Sequence, residues 1–117
     1  MTRHRWLPAF AVALAAQLVA VYAPSAPSEG GIPYLDKVVH ATIFGLPVLF
    51  GLLAGWPRRW VVGVFVVHAG VSEYLQSAVL PHRDGSWQDA LADLVGVGLG
   101  VLASSRVESR TRGIPRA

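Results

Sequence analysis

The sequence predicts an all-α membrane protein with four transmembrane helices and both termini in the cytoplasm. Three observations carry this reading. Hydrophobic residues make up 53% of the 117 and charged residues only 15%, against roughly 25% charged in soluble domains. The apolar residues fall into four segments of membrane length, separated by breaks rich in proline, glycine or arginine. The arginines gather at alternate breaks, as the positive-inside rule expects.

The first helix spans about residues 6–23, behind the basic flank Arg3-His4-Arg5. Pro8 falls in its first turn, where the missing N–H would have been unpaired anyway. A cleaved signal peptide is the rival reading, with Val21-Tyr22-Ala23 as the cleavage site. Against it, Pro24 follows that bond and further membrane-length segments come after. Residues 24–33 (PSAPSEGGIP) form a loop on composition alone. The second helix spans about 35–56, with Asp36 as candidate N-cap and a kink at Pro47. Trp56-Pro57-Arg58-Arg59-Trp60 reads as a tight basic turn flanked by interfacial tryptophans. The third helix covers about 60–80 and the fourth about 87–103, making residues 1–103 one domain. Residues 104–117 form a basic, flexible cytoplasmic tail.

Orientation follows from Arg3 and Arg5, Arg58 and Arg59, and Arg106 to Arg116, which mark the cytoplasmic side. The loop 24–33 and the loop around His82-Arg83-Asp84 then face outward. The basic balance of +3 serves orientation rather than phosphate binding, so no nucleic-acid partner is expected. With no cysteine, disulfides, thiolate nucleophiles and cysteine-held metals are excluded.

This topology gathers polar residues in the outer half of the bilayer. Asp36 and Lys37 lie at the outer mouth of the second helix, with His40 about 5.4 Å further in. Asp36 and His40 share a face at i, i+4. On the third helix Glu73 lies about 10 Å below the outer end, with Gln76 near it on the same face. Asp89 and Asp93 repeat the i, i+4 spacing on the fourth helix. Each charge facing lipid would cost about 2.5 kcal/mol or more, so the cluster is expected to converge inside the bundle. Gly96 and Gly100, with Gly98 between them, give the fourth helix a smooth strip suited to close helix packing.

The order Asp36-Lys37-xx-His40-xxx-Phe44, Glu73-xx-Gln76, Arg83-xx-Ser86-xx-Asp89 and Gly96-xxx-Gly100 resembles the VanZ-like family over about residues 34–102. The resemblance implies a small bacterial multi-helix protein of the cytoplasmic membrane. The founding member of that family is associated with resistance to the glycopeptide antibiotic teicoplanin. Where the family usually has asparagine, this chain has Asp93, which favours a protonated or cation-paired carboxyl there.

Each of these residues also has a plainer role to fill. Asp36 and His40 can form a local cap and hydrogen bond or a proton-relay pair. Glu73 can pair with Arg83 or Lys37, or stand as a general acid or base. Arg83 can pair with Asp84 or Asp89, or hold a phosphate or carboxylate. Asp89 suits the dipole of its helix, whereas Asp93 lies a turn deeper. His68, remote from the cluster, is expected to hydrogen-bond between helices. His40, Glu73, Asp89 and Asp93 have metal-binding chemistry, but no two histidines have ligand spacing, and neither a metal nor a cofactor is expected.

The residues themselves point to a charged, outward-facing intramembrane cluster; the resemblance implies that it binds an anionic cell-envelope lipid, precursor or glycopeptide and is linked to teicoplanin resistance. Its site would comprise Asp36, Lys37, His40, Glu73, Gln76, Arg83, Ser86, Asp89 and Asp93. The alternatives are a hydrolase or transferase using Glu73 or His40 as base, and a proton- or cation-coupled transporter subunit. Ser72, Ser77 and Ser86 lack a nucleophile motif. Membrane lipids are the expected surroundings, with the oligomeric state open.

Overall fold

Four apolar runs fold into four helices. The computed structural model describes residues 3–23, 34–79 and 86–113. A 3₁₀ turn, Arg3–Trp6, leads into α1 (Leu7–Tyr22), followed by α2 (Leu35–Leu53), α3 (Arg58–Ala78) and α4 (Trp87–Gly113). The stretches His4–Tyr22, Leu35–Leu53 and Trp87–Arg110 are long and apolar enough to cross a membrane. Helix α3 has the length, but Arg58, Arg59, His68, Ser72, Glu73 and Gln76 dilute its hydropathy. The protein is thus an all-α bundle consistent with a multi-pass membrane protein.

Several helix ends differ from the sequence reading for local reasons. Helix α2 stops at Leu53 because Gly55, at φ 96°, takes the left-handed conformation. Its N–H donates to Leu52 O, and that of Trp56 to Gly51 O, the paired bonds of a glycine-terminated helix. Asp36 is not the N-cap of α2. Tyr34 holds that position, and Asp36 lies in the first turn. At the far end, α4 does not stop near Ala103 but continues as helix to Gly113, through the stretch expected as a tail.

Cross-helix contacts set the directions. Lys37 meets Asp89 and His40 meets Asp93, so α2 and α4 run parallel. Gln17 reaches Ile43 and Trp6 stacks on Phe50, making α1 antiparallel to α2. Gln76 reaches the Val21 carbonyl and Phe10 meets Phe65, making α1 parallel to α3. Val21, Phe44, Val48, Leu52, Val61, Phe65, Ala69 and Val97 form the common core. Phe44 packs edge-on against Phe65 and stacks on His68.

The closest packing is between α2 and α4. A Cβ on Gly100 would fall 2.6 Å from Gly45 O, and one on Gly45 would fall 2.8 Å from Gly96 O. One on Gly96 would overlap the Ala41 carbonyl. The two backbones therefore touch, as small residues spaced four apart allow. Gly98, on the other face, has open space around it.

Pro47 has a consequence that crosses helices. Its missing N–H leaves the Ile43 carbonyl, four residues earlier, without its helical donor. The side chain of Gln17 on α1 supplies a replacement, Nε2 donating to Ile43 O at 3.0 Å.

The glycine contact makes a graded prediction. Gly96→Ala should destabilise by about 1–3 kcal/mol through overpacking. Gly98→Ala should be neutral or stabilising by about 0.5–1 kcal/mol, since alanine is the better helix former. Thermal unfolding in detergent compares the two, and equal effects would remove the backbone contact from the account.

Candidate intramembrane polar site

The close approach of α2 and α4 places their acidic and basic residues opposite one another, and α3 closes the third side. The site has two layers. In the outer layer Lys37 Nζ donates to Asp36 Oδ2 and to Asp89 Oδ1, each at 2.6 Å. About a third of the Asp36 and Lys37 side chains remains accessible. Lys37 is thus already held by two carboxylates, and it does not pair with Glu73.

The inner layer is buried and draws one residue from each of three helices. His40 Nδ1 lies 2.7 Å from Asp93 Oδ1 and 3.7 Å from Glu73 Oε1. On the opposite edge of the ring, His40 Nε2 lies 3.8 Å from Asp89 Oδ2. Asp93 is wholly buried, and Glu73 and His40 nearly so. One donor atom each from His40, Glu73 and Asp93 fits within a 4.8 Å cluster. Among the described residues, Glu73 Oε1 and Asp93 Oδ2 are buried without a hydrogen-bond partner.

The expected pairing of Asp36 with His40 does not form. The i, i+4 spacing gave both a common face, but Asp36 turns to Lys37 and the imidazole turns across to α4. Asp93, on α4, becomes the principal partner of His40.

Ser86 and Glu73 together cap α4. Ser86 Oγ accepts the N–H of Asp89 at 3.1 Å, the N-cap half of a capping box. In such a box the third residue would reach back to the cap N–H. Here Asp89 is occupied by Lys37, and Glu73 of α3 takes its place, Oε2 accepting the Ser86 N–H at 2.9 Å. Ser86 therefore has a structural role in setting the height of α4 against α3.

Gln76 is fully buried and fastens α1 rather than facing the cluster. Its Nε2 donates to Val21 O at 2.9 Å, one of the carbonyls that a helix C-terminus leaves free. His68 makes the expected interhelical bond, Nε2 lying 2.8 Å from Tyr22 Oη. Ser72 and Ser77 donate to backbone carbonyls of their own helix. Arg83 and its neighbours His82 and Asp84 lie outside the described residues.

Gln17 was not singled out from the sequence, although a signal existed: a proline inside a helix frees one carbonyl, and a buried glutamine on a neighbouring span can serve it. Tyr22 likewise escaped notice as the partner of His68. A cavity of about 610 Å³ lies elsewhere, between α1 and α3, with an apolar lining that includes Phe10, Leu14, Trp60 and Val64. It contains none of the predicted site residues. No protein-family model, curated protein or solved structure matches this chain, so the family resemblance rests on the motif residues alone.

The capping role of Glu73 separates charge from hydrogen bonding. Glu73→Gln keeps an acceptor for the Ser86 N–H and removes a buried charge, so with chelator present its melting point should match or exceed that of the native protein. Glu73→Ala leaves that N–H unserved and should cost about 1–3 kcal/mol. Thermal unfolding of both variants in detergent is the measurement, and a large loss in Glu73→Gln would show that the charge itself holds the bundle.

Proposed function

We propose that this is a four-span bacterial membrane protein of the VanZ-like kind that binds a cell-envelope ligand at the outer leaflet. The support for α3 as a fourth span is the sidedness of its polarity. Ser72, Glu73 and Gln76 are buried, while Val64, Val67, Val71 and Tyr74 are exposed. An apolar outer face with polar residues inside is what a span in a bundle needs. Support for the orientation is that the described arginines Arg5, Arg58, Arg59 and Arg106 lie at one end of the bundle. Arg58 Nη2 donates to Ser105 Oγ across α3 and α4 at 3.4 Å, and Trp6 stacks on Phe50 at that same end. The polar site occupies the other end, which the positive-inside rule places outside.

The observation that carries the ligand reading is the charge count at the site. Asp36, Glu73, Asp89 and Asp93 face Lys37 and His40, and Lys37 is already shared by two carboxylates. Among the described residues of this site there is thus no spare lysine or arginine for an anionic headgroup. The site better fits an amine-bearing ligand, a glycopeptide or an aminated lipid headgroup, with the partly exposed Asp36 as its first contact. The apolar cavity between α1 and α3 suits acyl chains of the surrounding lipid. A hydrolase is less well supported, because Ser72, Ser77 and Ser86 are all engaged with backbone groups. A proton- or cation-coupled role draws its support from the two unpartnered carboxylate oxygens.

Two experiments test this proposal. The chain has no cysteine, so Tyr34→Cys and Arg59→Cys can be labelled singly in whole cells. A membrane-impermeant maleimide should label position 34 directly and position 59 only after permeabilisation; the reverse would invert the topology. For the ligand, the protein in nanodiscs should bind teicoplanin or phosphatidylethanolamine more tightly than phosphatidylglycerol. Asp36→Asn should weaken that binding by about 5- to 10-fold, the loss of one charge-assisted contact. Tighter binding of phosphatidylglycerol, improved by Asp36→Asn, would return the site to anionic ligands.

A further inference from the structure

We propose that the inner layer, His40, Glu73 and Asp93, is a binding site for one divalent transition-metal ion, with zinc as the preferred occupant. The inference differs from the envelope-ligand reading, whose first contact is Asp36 in the partly exposed outer layer. Its first support is donor geometry. At metal–ligand distances of about 2.0–2.1 Å, tetrahedral ligand atoms lie about 3.3 Å apart. His40 Nδ1 is 2.7 Å from Asp93 Oδ1 and 3.7 Å from Glu73 Oε1. These two separations bracket the required one, and one donor atom from each of the three residues lies within 4.8 Å of the others, so modest side-chain adjustment places all three around one ion.

The second support is independent of clustering. Glu73 Oε1 and Asp93 Oδ2 are buried on residues more than nine-tenths removed from solvent, and neither has a hydrogen-bond partner among the described residues. Unpartnered carboxylate oxygens at such a position are costly unless a cation serves them. A divalent ion balances the two carboxylates that the inner layer contributes. The third support lies behind the histidine. Metal-bound imidazoles characteristically donate their other N–H to a carboxylate. With Nδ1 toward the ion, His40 Nε2 faces Asp89 Oδ2 at 3.8 Å, and Lys37 in turn neutralises Asp89.

The donor set narrows the ion. One imidazole and two carboxylates suit zinc, cobalt, manganese or ferrous iron, whereas calcium requires six to eight oxygens. Within the first group the general affinity order places zinc above manganese and iron. Three protein ligands leave a fourth position open to water or to a ligand atom. The three ligands come from α2, α3 and α4, so the ion would also tie these helices together.

The test uses the full-length protein in detergent, stripped with a chelator and titrated with zinc, with bound metal counted after equilibrium dialysis. One zinc per chain is expected, with a higher melting temperature. Cobalt in its place should give the visible absorption of a tetrahedral site. Asp93→Asn and Glu73→Gln should each weaken zinc binding on the order of a hundredfold or more, beyond the 10- to 100-fold typical of an outer-shell partner. Asp89→Asn should weaken it roughly tenfold and keep the cobalt spectrum. Asp36→Asn should bind zinc normally, which separates this site from the outer ligand site. Absence of stoichiometric zinc from the folded native protein, or equal zinc binding by the native and Glu73→Gln proteins, would overturn the proposal. Should Asp93→Asn fail to fold, Glu73→Gln decides, because it retains the acceptor that caps α4.

Discussion

The backbone contact between α2 and α4 is the constraint on which the rest of this structure depends. Gly45, Gly96 and Gly100 leave no room for a Cβ between the two helices. Parallel helices at that separation must match residue for residue along their length. The register that seats Gly96 on Ala41 and Gly100 on Gly45 also sets Lys37 beside Asp89 and His40 beside Asp93. A small-residue seam in the lower half thereby organises a charged site in the upper half. Widening the seam would separate the pairs, leaving buried charges that cost about 2.5–3.5 kcal/mol each on insertion scales.

Hydrogen bonding follows a second rule, that backbone groups left over by one helix are served by side chains of another. Pro47 frees the Ile43 carbonyl and Gln17 serves it. The end of α1 frees the Val21 carbonyl and Gln76 serves it. The start of α4 frees the Ser86 N–H and Glu73 serves it. In an apolar surrounding such groups have no water to turn to. The polar residues within the apolar runs therefore divide between those that complete the backbone and those that face one another as charges. Glu73 does both, with one oxygen on each task.

Much of this division could not be read from residue order. The helices, the glycine strip and the gathering of acids with His40 and Lys37 were legible, because period, composition and the cost of charge in hydrocarbon all act locally or uniformly. Gln76 and Ser86 were visible as polar residues at suggestive spacing, but their partners are backbone atoms, which every residue has and no pattern marks. Asp36 and His40 share a face by spacing, yet each found a better partner off its own helix face. The extension of α4 to Gly113 went unread because a polar, arginine-rich helix has no apolar period to announce it.

The sequence by itself determined an all-α chain with helices of membrane length, the small residues that permit one close helix pair, and the set of ionisable residues that must converge. These follow from local conformational preference and from solvation, which depend on residue type. Only the tertiary structure decided the pairings: Lys37 with Asp36 and Asp89, His40 with Asp93, and Glu73 divided between the cap of α4 and the buried cluster. Charge pairing depends on distances of a few ångströms between helices far apart in the chain. Those distances are set by packing, here by glycines that let two backbones meet.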